Sequence, residues 1–236
     1  ICGTDAFETY FADACRRRSV PLSQRAGKPL TAYPAGRFFE QLRELAAGGF
    51  SLDAMRRLLL DRAVPWKNPA GLRALIRRGI RGGALRNYRE GGRERDVWLA
   101  LLGDEEDEEL RRTYRRLRTH MRSLSAAHTF RGLRDALYEF FAAFLNTNAW
   151  SEAQMRVFQS ALDVLSDLID AQERIGVDTR APFDLWLNAL RARIYVPRQR
   201  ADGIAVFPYR VAAGIEPAHH FVVNASHGNL RTVYAP

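Results

Sequence analysis

Two short apolar runs near the end of the chain, residues 204–207 (Ile-Ala-Val-Phe) and 221–223 (Phe-Val-Val), constrain the fold more than any other feature. Both are rich in β-branched or aromatic residues, the composition expected of strands covered on both faces. A compact turn carrying Arg210, Gly214 and Glu216 lies between them. Two buried strands do not make a domain, so they need neighbours. The other extended stretches lie near the beginning, at 19–22 and 27–30, where Pro21 and Pro29 punctuate the chain. The two ends are therefore expected to meet in one parallel sheet. The fold class is α/β with a large helical insertion: a split parallel-sheet unit from residues 1–50 and 196–236, and a helical body over 51–195.

Apolar spacing by threes and fours predicts the helices. One spans 4–17, with Phe7, Tyr10, Phe11 and Ala14 on a face. Another begins near Pro34, turns Phe38, Phe39, Leu42 and Leu45 inward, and ends at Gly48-Gly49. Ser51 is positioned to cap a short helix bearing Met55, Leu58 and Leu59. Leu72, Leu75, Ile76 and Ile80 suggest one more, followed by a polar, glycine-rich stretch through Gly91-Gly92 that reads as a mobile loop. After Asp104 an acidic run precedes a basic one, the order that complements a helix dipole. Leu110, Tyr114, Leu117, Met121 and Leu124 stripe that helix, and Leu133, Leu137, Phe140, Phe141 and Phe144 the next. Ser151 to Gln154 matches a capping box, opening a helix with Met155, Phe158, Leu162, Leu165 and Ile169 inward. Pro182 fits the first turn of the last, with Phe183, Trp186, Leu187, Leu190 and Ile194. Four amphipathic helices in sequence imply a bundle.

The formal net charge is +9, and lysine occurs only at Lys28 and Lys67, so the positive charge is almost all arginine. Guanidinium groups suit bidentate phosphate contacts and base stacking, which makes a polyanion, usually nucleic acid, the expected partner. The same lysine shortage excludes several enzymes. The one Gly-Lys, Gly27-Lys28, is followed by Pro29 rather than the hydroxyl residue of a phosphate-cradling loop. A nuclease of the PD-(D/E)xK type needs an acid two residues before its lysine, where this chain has Ala26 and Pro65. His219, His220 and His227 have no accompanying cysteine or acidic cluster, so no metal is expected, and no cofactor. Asp163, Asp167 and Asp170 read as a solvated helix face. Cys2 and Cys15 make neither a C-x-x-C pair nor a disulfide framework. No apolar run approaches the roughly 20 residues of a membrane span, so no membrane partner is expected and the compartment is read as cytoplasmic. The opening on Ile1 suggests a piece of a larger protein.

The segment 20–45, with Pro29-Leu30 and Pro34 ahead of a helix, resembles the second RecA-like domain of superfamily 1 helicases, in the version of AddB, RecC and RecB-family exonuclease proteins. The terminal stretch resembles helicase motif V. Where active members carry Thr-x-His-x-x-Lys-Gly-Leu-Glu, this chain has Pro208, Arg210, Ala213, Gly214, Ile215 and Glu216. The resemblance covers both ends, and implies that the helical middle is a 2B-type insertion. It further implies a non-catalytic DNA-binding or scaffolding piece of a DNA end-processing machine, with Gly214 and Glu216 as a degenerate nucleotide-contacting motif. Its partners would be single-stranded DNA or a duplex end, and other helicase or nuclease subunits. The DNA-binding residues expected are Arg115, Arg118 and Arg122 on one helix face, together with Arg37 and Arg210. The alternatives are a helical protein–protein interaction module with no nucleic-acid role, and a fragment of an active helicase.

Overall fold

The computed structural model of the chain describes residues 5–24, 27–103, 107–176, 179–196, 203–207, 219 and 221–222. It divides into two compact units, one from Ile1–Lys28 and Tyr195–Pro236, the other from Pro29–Ile194. The first holds helix α1 (Asp5–Arg17) and two strands, β1 (Leu22–Gln24) and β6 (Ile204–Val206). These strands pair in parallel with Leu22 opposite Ile204 and Gln24 opposite Val206, so the chain ends do meet as expected. The Ile204 N–H donates to the Pro21 carbonyl at 2.9 Å and extends the ladder.

The sheet goes no further than that. The described strands form three separate pairs: β1 with β6, β2 (Lys28–Pro29) with β5 (Ile194–Tyr195), and β3 (Tyr88–Glu90) with β4 (Arg93–Arg95). A RecA-like sheet is therefore absent among the described residues. Phe221 and Val222 are exposed and lie outside any strand, so the second apolar run is not a buried strand there. Three apolar residues in a row are too short a signal to fix one. Ile194, expected on the inner face of the last helix, is an exposed residue of β5.

The second unit is mostly helical. Its centre is α2 (Pro34–Ala47), whose Phe38, Phe39, Leu42 and Leu45 are fully buried. Phe39 meets Trp186 edge-on, ring centres 4.7 Å apart, and stacks on Phe158 at 5.6 Å. Phe38 meets Trp66 at 6.0 Å and Phe140 at 6.1 Å. Edge-to-face and offset contacts of this kind add about 0.5–1.5 kcal/mol each beyond area burial. Around α2 pack α3 (Leu52–Leu59), α6 (Glu108–Ala126), α8 (Glu152–Ile175) and α9 (Pro182–Ala192). Helices α4 (Pro69–Arg81) and α7 (Phe130–Phe144) pack against α6 in turn.

Helix starts follow the local chemistry. Ser51, Asn68 and Thr129 accept the N–H groups of Ala54, Gly71 and Gly132, which satisfies first-turn donors. Ser151 accepts from Gln154, but the expected reciprocal bond of the capping box is replaced by a longer reach. The Gln154 Oε1 accepts from Ala35 N–H at 2.9 Å and so caps α2, which has no side-chain cap of its own. On α8, Gln172 does the same for α7, accepting from Phe130 N–H at 3.2 Å. These glutamines are 18 residues apart, five full turns, so one stripe of α8 caps two neighbouring helices.

Between α4 and α6 the structure departs from the expected mobile loop. Residues 88–95 form an antiparallel hairpin, with Tyr88 opposite Arg95, Arg89 opposite Glu94 and Glu90 opposite Arg93. Gly91 and Gly92 turn it with φ of 56° and 79°, the pair of positive values that a tight two-residue hairpin turn requires. A short helix, α5 (Val97–Leu101), follows at once, capped by Asp96, whose carboxylate accepts from Leu99 N–H at 2.9 Å. Trp98 of α5 is fully buried against α4. A Cβ added at Gly79 of α4 would lie 2.4 Å from Trp98 Cη2 and 2.5 Å from Cζ3. The ring cannot retreat, because its Nε1–H donates to the Phe50 carbonyl at 2.7 Å and its face stacks on Tyr114. Gly79→Ala is therefore expected to lower stability by about 1–3 kcal/mol through overpacking, despite alanine's better helix propensity. Urea unfolding of the two proteins checks this, and an unchanged or raised midpoint would contradict the packing described.

Candidate functional site

The most distinctive surface lies where α4 ends and the hairpin begins. From residue 73 to 95 the chain has eight arginines and two glutamates. Leu85 is 78% exposed, Ile80 53% and Tyr88 49%. Large apolar side chains are common singly at a surface, but three exposed within nine residues are a local concentration. A groove of about 410 Å³ opens here, lined by Gly83, Leu85, Arg86, Tyr88 and Val97.

The backbone under this groove is pinned. The Leu52 N–H, an orphan donor at the start of α3, donates to the Leu85 carbonyl at 2.8 Å. Asn87 N–H donates to the Gly49 carbonyl at 2.7 Å. Leu85 is thus exposed on a fixed backbone rather than on a loose loop.

A buried polar cluster fixes the hairpin behind it. Asn87 Nδ2 donates to the Tyr114 hydroxyl at 2.9 Å, and Asn87 Oδ1 accepts from Val97 N–H at 2.9 Å. The Tyr114 hydroxyl donates to the Asp96 carboxylate at 3.0 Å. Arg118 reaches Glu94 at 2.9 Å and places its Nε 2.8 Å from Asp96 Oδ2. That second contact lies off the N–H axis, so it is an ion pair rather than an aligned hydrogen bond. Arg122 pairs with Glu94 as well. Burial, reinforced by Asp96, pushes the Tyr114 phenol well above its ordinary range, so the hydroxyl stays protonated and serves as a donor. The hydrogen bond from Arg118 holds the Glu94 carboxyl below the ordinary glutamate range.

Of the residues expected to bind DNA, Arg115, Arg118 and Arg122 are brought onto α6 as the spacing implied, but in different settings. Arg118 is half-buried between Glu94 and Asp96, and Arg122 shares Glu94. Arg115 is exposed and has no ion-pair partner among the described residues. Arg37 lies on α2, 3.7 Å from Asp61. Arg210, Gly214 and Glu216 lie outside the described residues, as do His220 and His227. Among the described residues no three His, Cys, Asp or Glu side chains gather as a metal site would need, and no helix is long and apolar enough to cross a membrane. The groove itself was missed in the sequence because its walls lie in the stretch read as a loop. The Gly-Gly pair between Arg89-Glu90 and Arg93-Glu94-Arg95 was the available signal.

The family model of the Treponema TP0900 fourth helical domain matches residues 31–196, and the chain belongs to that family. A Treponema pallidum (strain Nichols) protein named "Uncharacterized protein" is 30% identical over 255 residues, covering 96% of this chain. The chain spans 32% of that relative's length. No solved structure matches. These findings overturn the helicase resemblance, and with it the terms helicase, exonuclease, DNA repair and recombination. The match covers the helical body that the resemblance treated as an insertion, together with residues 31–50 that it placed in the sheet unit. The features that carried the resemblance have local causes instead: Pro34 is the first residue of α2, and Pro29-Leu30 ends β2 and starts a 3-10 turn (Leu30–Ala32).

The depressed acidity of Glu94 sets a pH dependence. A carboxyl that is more acidic in the folded chain adds stability above its unfolded pKa, about 4.3, and loses it as pH falls through that value and below. The stability difference between the native chain and Glu94→Gln should therefore shrink as pH is lowered from 6 to about 3. Thermal unfolding across that range checks it, and a constant difference would show that Glu94 is not held by Arg118.

Proposed function

We propose that this chain is a helical protein-docking domain, one part of a longer protein, that engages a protein partner through the groove between α4 and the hairpin. The single observation that carries the reading is Leu85, a large apolar side chain that is mostly exposed while its own backbone holds the first N–H of α3. Placing such a side chain on a fixed backbone in water serves no internal packing. It lowers the ordering cost of a contact made from outside, since the anchor is already in place. Aromatic and arginine residues beside it, here Tyr88 and Arg86, are the types enriched where binding energy concentrates. The description of the family as a helical domain and the far greater length of the relative are in keeping with a domain that works within a larger assembly. The reading assigns no catalytic step to this chain.

The test is site-specific photo-crosslinking of the full-length protein in the cells that make it. A photoreactive phenylalanine analogue would replace Leu85 in one sample and Tyr138, an exposed aromatic position on α7, in another. The expected outcome is a discrete protein adduct from position 85 and none of the same mass from 138. The same adducts from both positions, or none from 85, would remove the groove as a docking site.

A further inference from the structure

Resting on the docking reading, we infer the chemistry of the partner: the groove takes an acidic polypeptide segment that inserts a large aliphatic side chain. Two independent features of the groove lead there. The first is charge. Arg86 stands in the groove wall, Arg81 is the last residue of α4 two positions before Gly83, and Arg77 lies one turn earlier. Arg93 follows the hairpin turn, on the same face as Tyr88, because side chains alternate along a strand and Glu90 stands opposite Arg93. None of these four has an acidic partner among the described residues, and all are exposed.

Among the described residues the local acids do not supply one. Glu90 is taken by Arg95 at 3.1 Å, and Glu94 by Arg118 and Arg122 from the opposite side of the hairpin. Elsewhere in the helical unit arginines find carboxylates across element boundaries. Arg43 holds Asp184 through two bonds of 2.6 and 2.9 Å, Arg78 meets Asp107 at 2.6 Å, and Arg191 meets Glu40 at 2.7 Å. Among the described residues the groove margin is thus positive and unneutralised, which favours carboxylates arriving on another chain.

The second feature is the wall. Gly83, Leu85 and Val97 are aliphatic, and Tyr88 is the one ring among the lining residues. A nucleic-acid strand needs stacking faces for successive bases, and an aliphatic wall offers none. An aliphatic side chain fits it, and Gly83, with φ of 66° and open space where a Cβ would be, keeps one side wide. Acidic groups on the rim with an aliphatic anchor in the centre is the ordinary arrangement of a protein interface.

The test titrates the whole 236-residue chain with a panel of fluorescent 14-residue peptides that vary separately in acidic residues and in leucines. A 20-nucleotide single strand is titrated in parallel. Affinity is expected to rise with both variables. Arg86→Glu and Leu85→Ser should each weaken the acidic, leucine-bearing peptides by about tenfold, while Arg62→Glu, the same charge change outside the groove, should leave them unchanged. Circular dichroism of each variant establishes that it folds. Three results would overturn the inference: neutral or basic peptides binding as well, affinity following charge alone with Leu85→Ser silent, or the oligonucleotide competing fully for the groove. An adduct from position 85 together with any of these would leave the docking surface standing and its assigned partner refuted. Loss of the adduct with peptide binding intact would instead refute the cellular role of the groove.

Discussion

Burying the hydroxyl of Tyr114 commits much of the surrounding structure. A phenol sealed from water must find partners, and an unsatisfied one costs about 1–3 kcal/mol. Here the hydroxyl accepts from Asn87 and donates to Asp96. Asn87 is in turn tied to Val97 and Gly49, and Asp96 caps α5 and faces Arg118. One side chain of α6 therefore fixes the residue before the hairpin, the residue after it, and the helix that follows. Trp98 completes the arrangement by stacking on the Tyr114 ring at 5.8 Å. A two-stranded hairpin is marginal alone in water, so this anchorage is what gives the hairpin a defined place. The groove inherits that definition, since Tyr88 and Val97 of its lining belong to the elements so fixed.

The rest of the helical unit depends on a different kind of constraint. The aromatic cluster around Phe38 and Phe39 is held by ring contacts, and Trp186, one of its two tryptophans with Trp66, satisfies its N–H on the Ala161 carbonyl at 3.0 Å. Gln154 and Gln172 of α8 then close the open ends of α2 and α7. Packing supplies most of the stability of such helices, while the caps fix which end meets which neighbour. The two devices serve different purposes: the aromatic core holds the body together, and the Tyr114 cluster holds the hairpin to it.

How much of this was legible in the sequence follows from the range of each interaction. Helices α2, α3, α6, α7 and α8 were visible because their apolar spacing is local, and in α3, α7 and α8 the cap is local too. Ser51, Thr129 and Ser151 act on N–H groups three positions ahead. Arg111 and Arg112 do meet Glu108 within the helix, as local spacing implies. The partners of Arg118 and Arg122 are 22 to 28 residues away on another element, and no helical periodicity points to them. The hairpin was illegible for a related reason. Its six strand residues are all exposed, so they show no alternation of apolar and polar side chains. Ile80, placed inward by spacing, is half exposed, and Gly79 takes the buried position beside Trp98 instead. The parallel pairing of the chain ends was foreseen from apolar runs, but the family assigned to them was not the one the chain belongs to.

The hairpin is a fixed part of the helical unit, held there by Tyr114, and so presents a preformed groove. Amide hydrogen exchange over residues 87–97 tests it most directly, in the native chain and in Tyr114→Phe. Protection is expected in the native chain at the cross-strand amides and at Asn87 and Val97. Tyr114→Phe is expected to lose that protection selectively, while α2 and α8 retain theirs. Unprotected exchange across 87–97 in the native chain, or protection untouched by Tyr114→Phe, would contradict it.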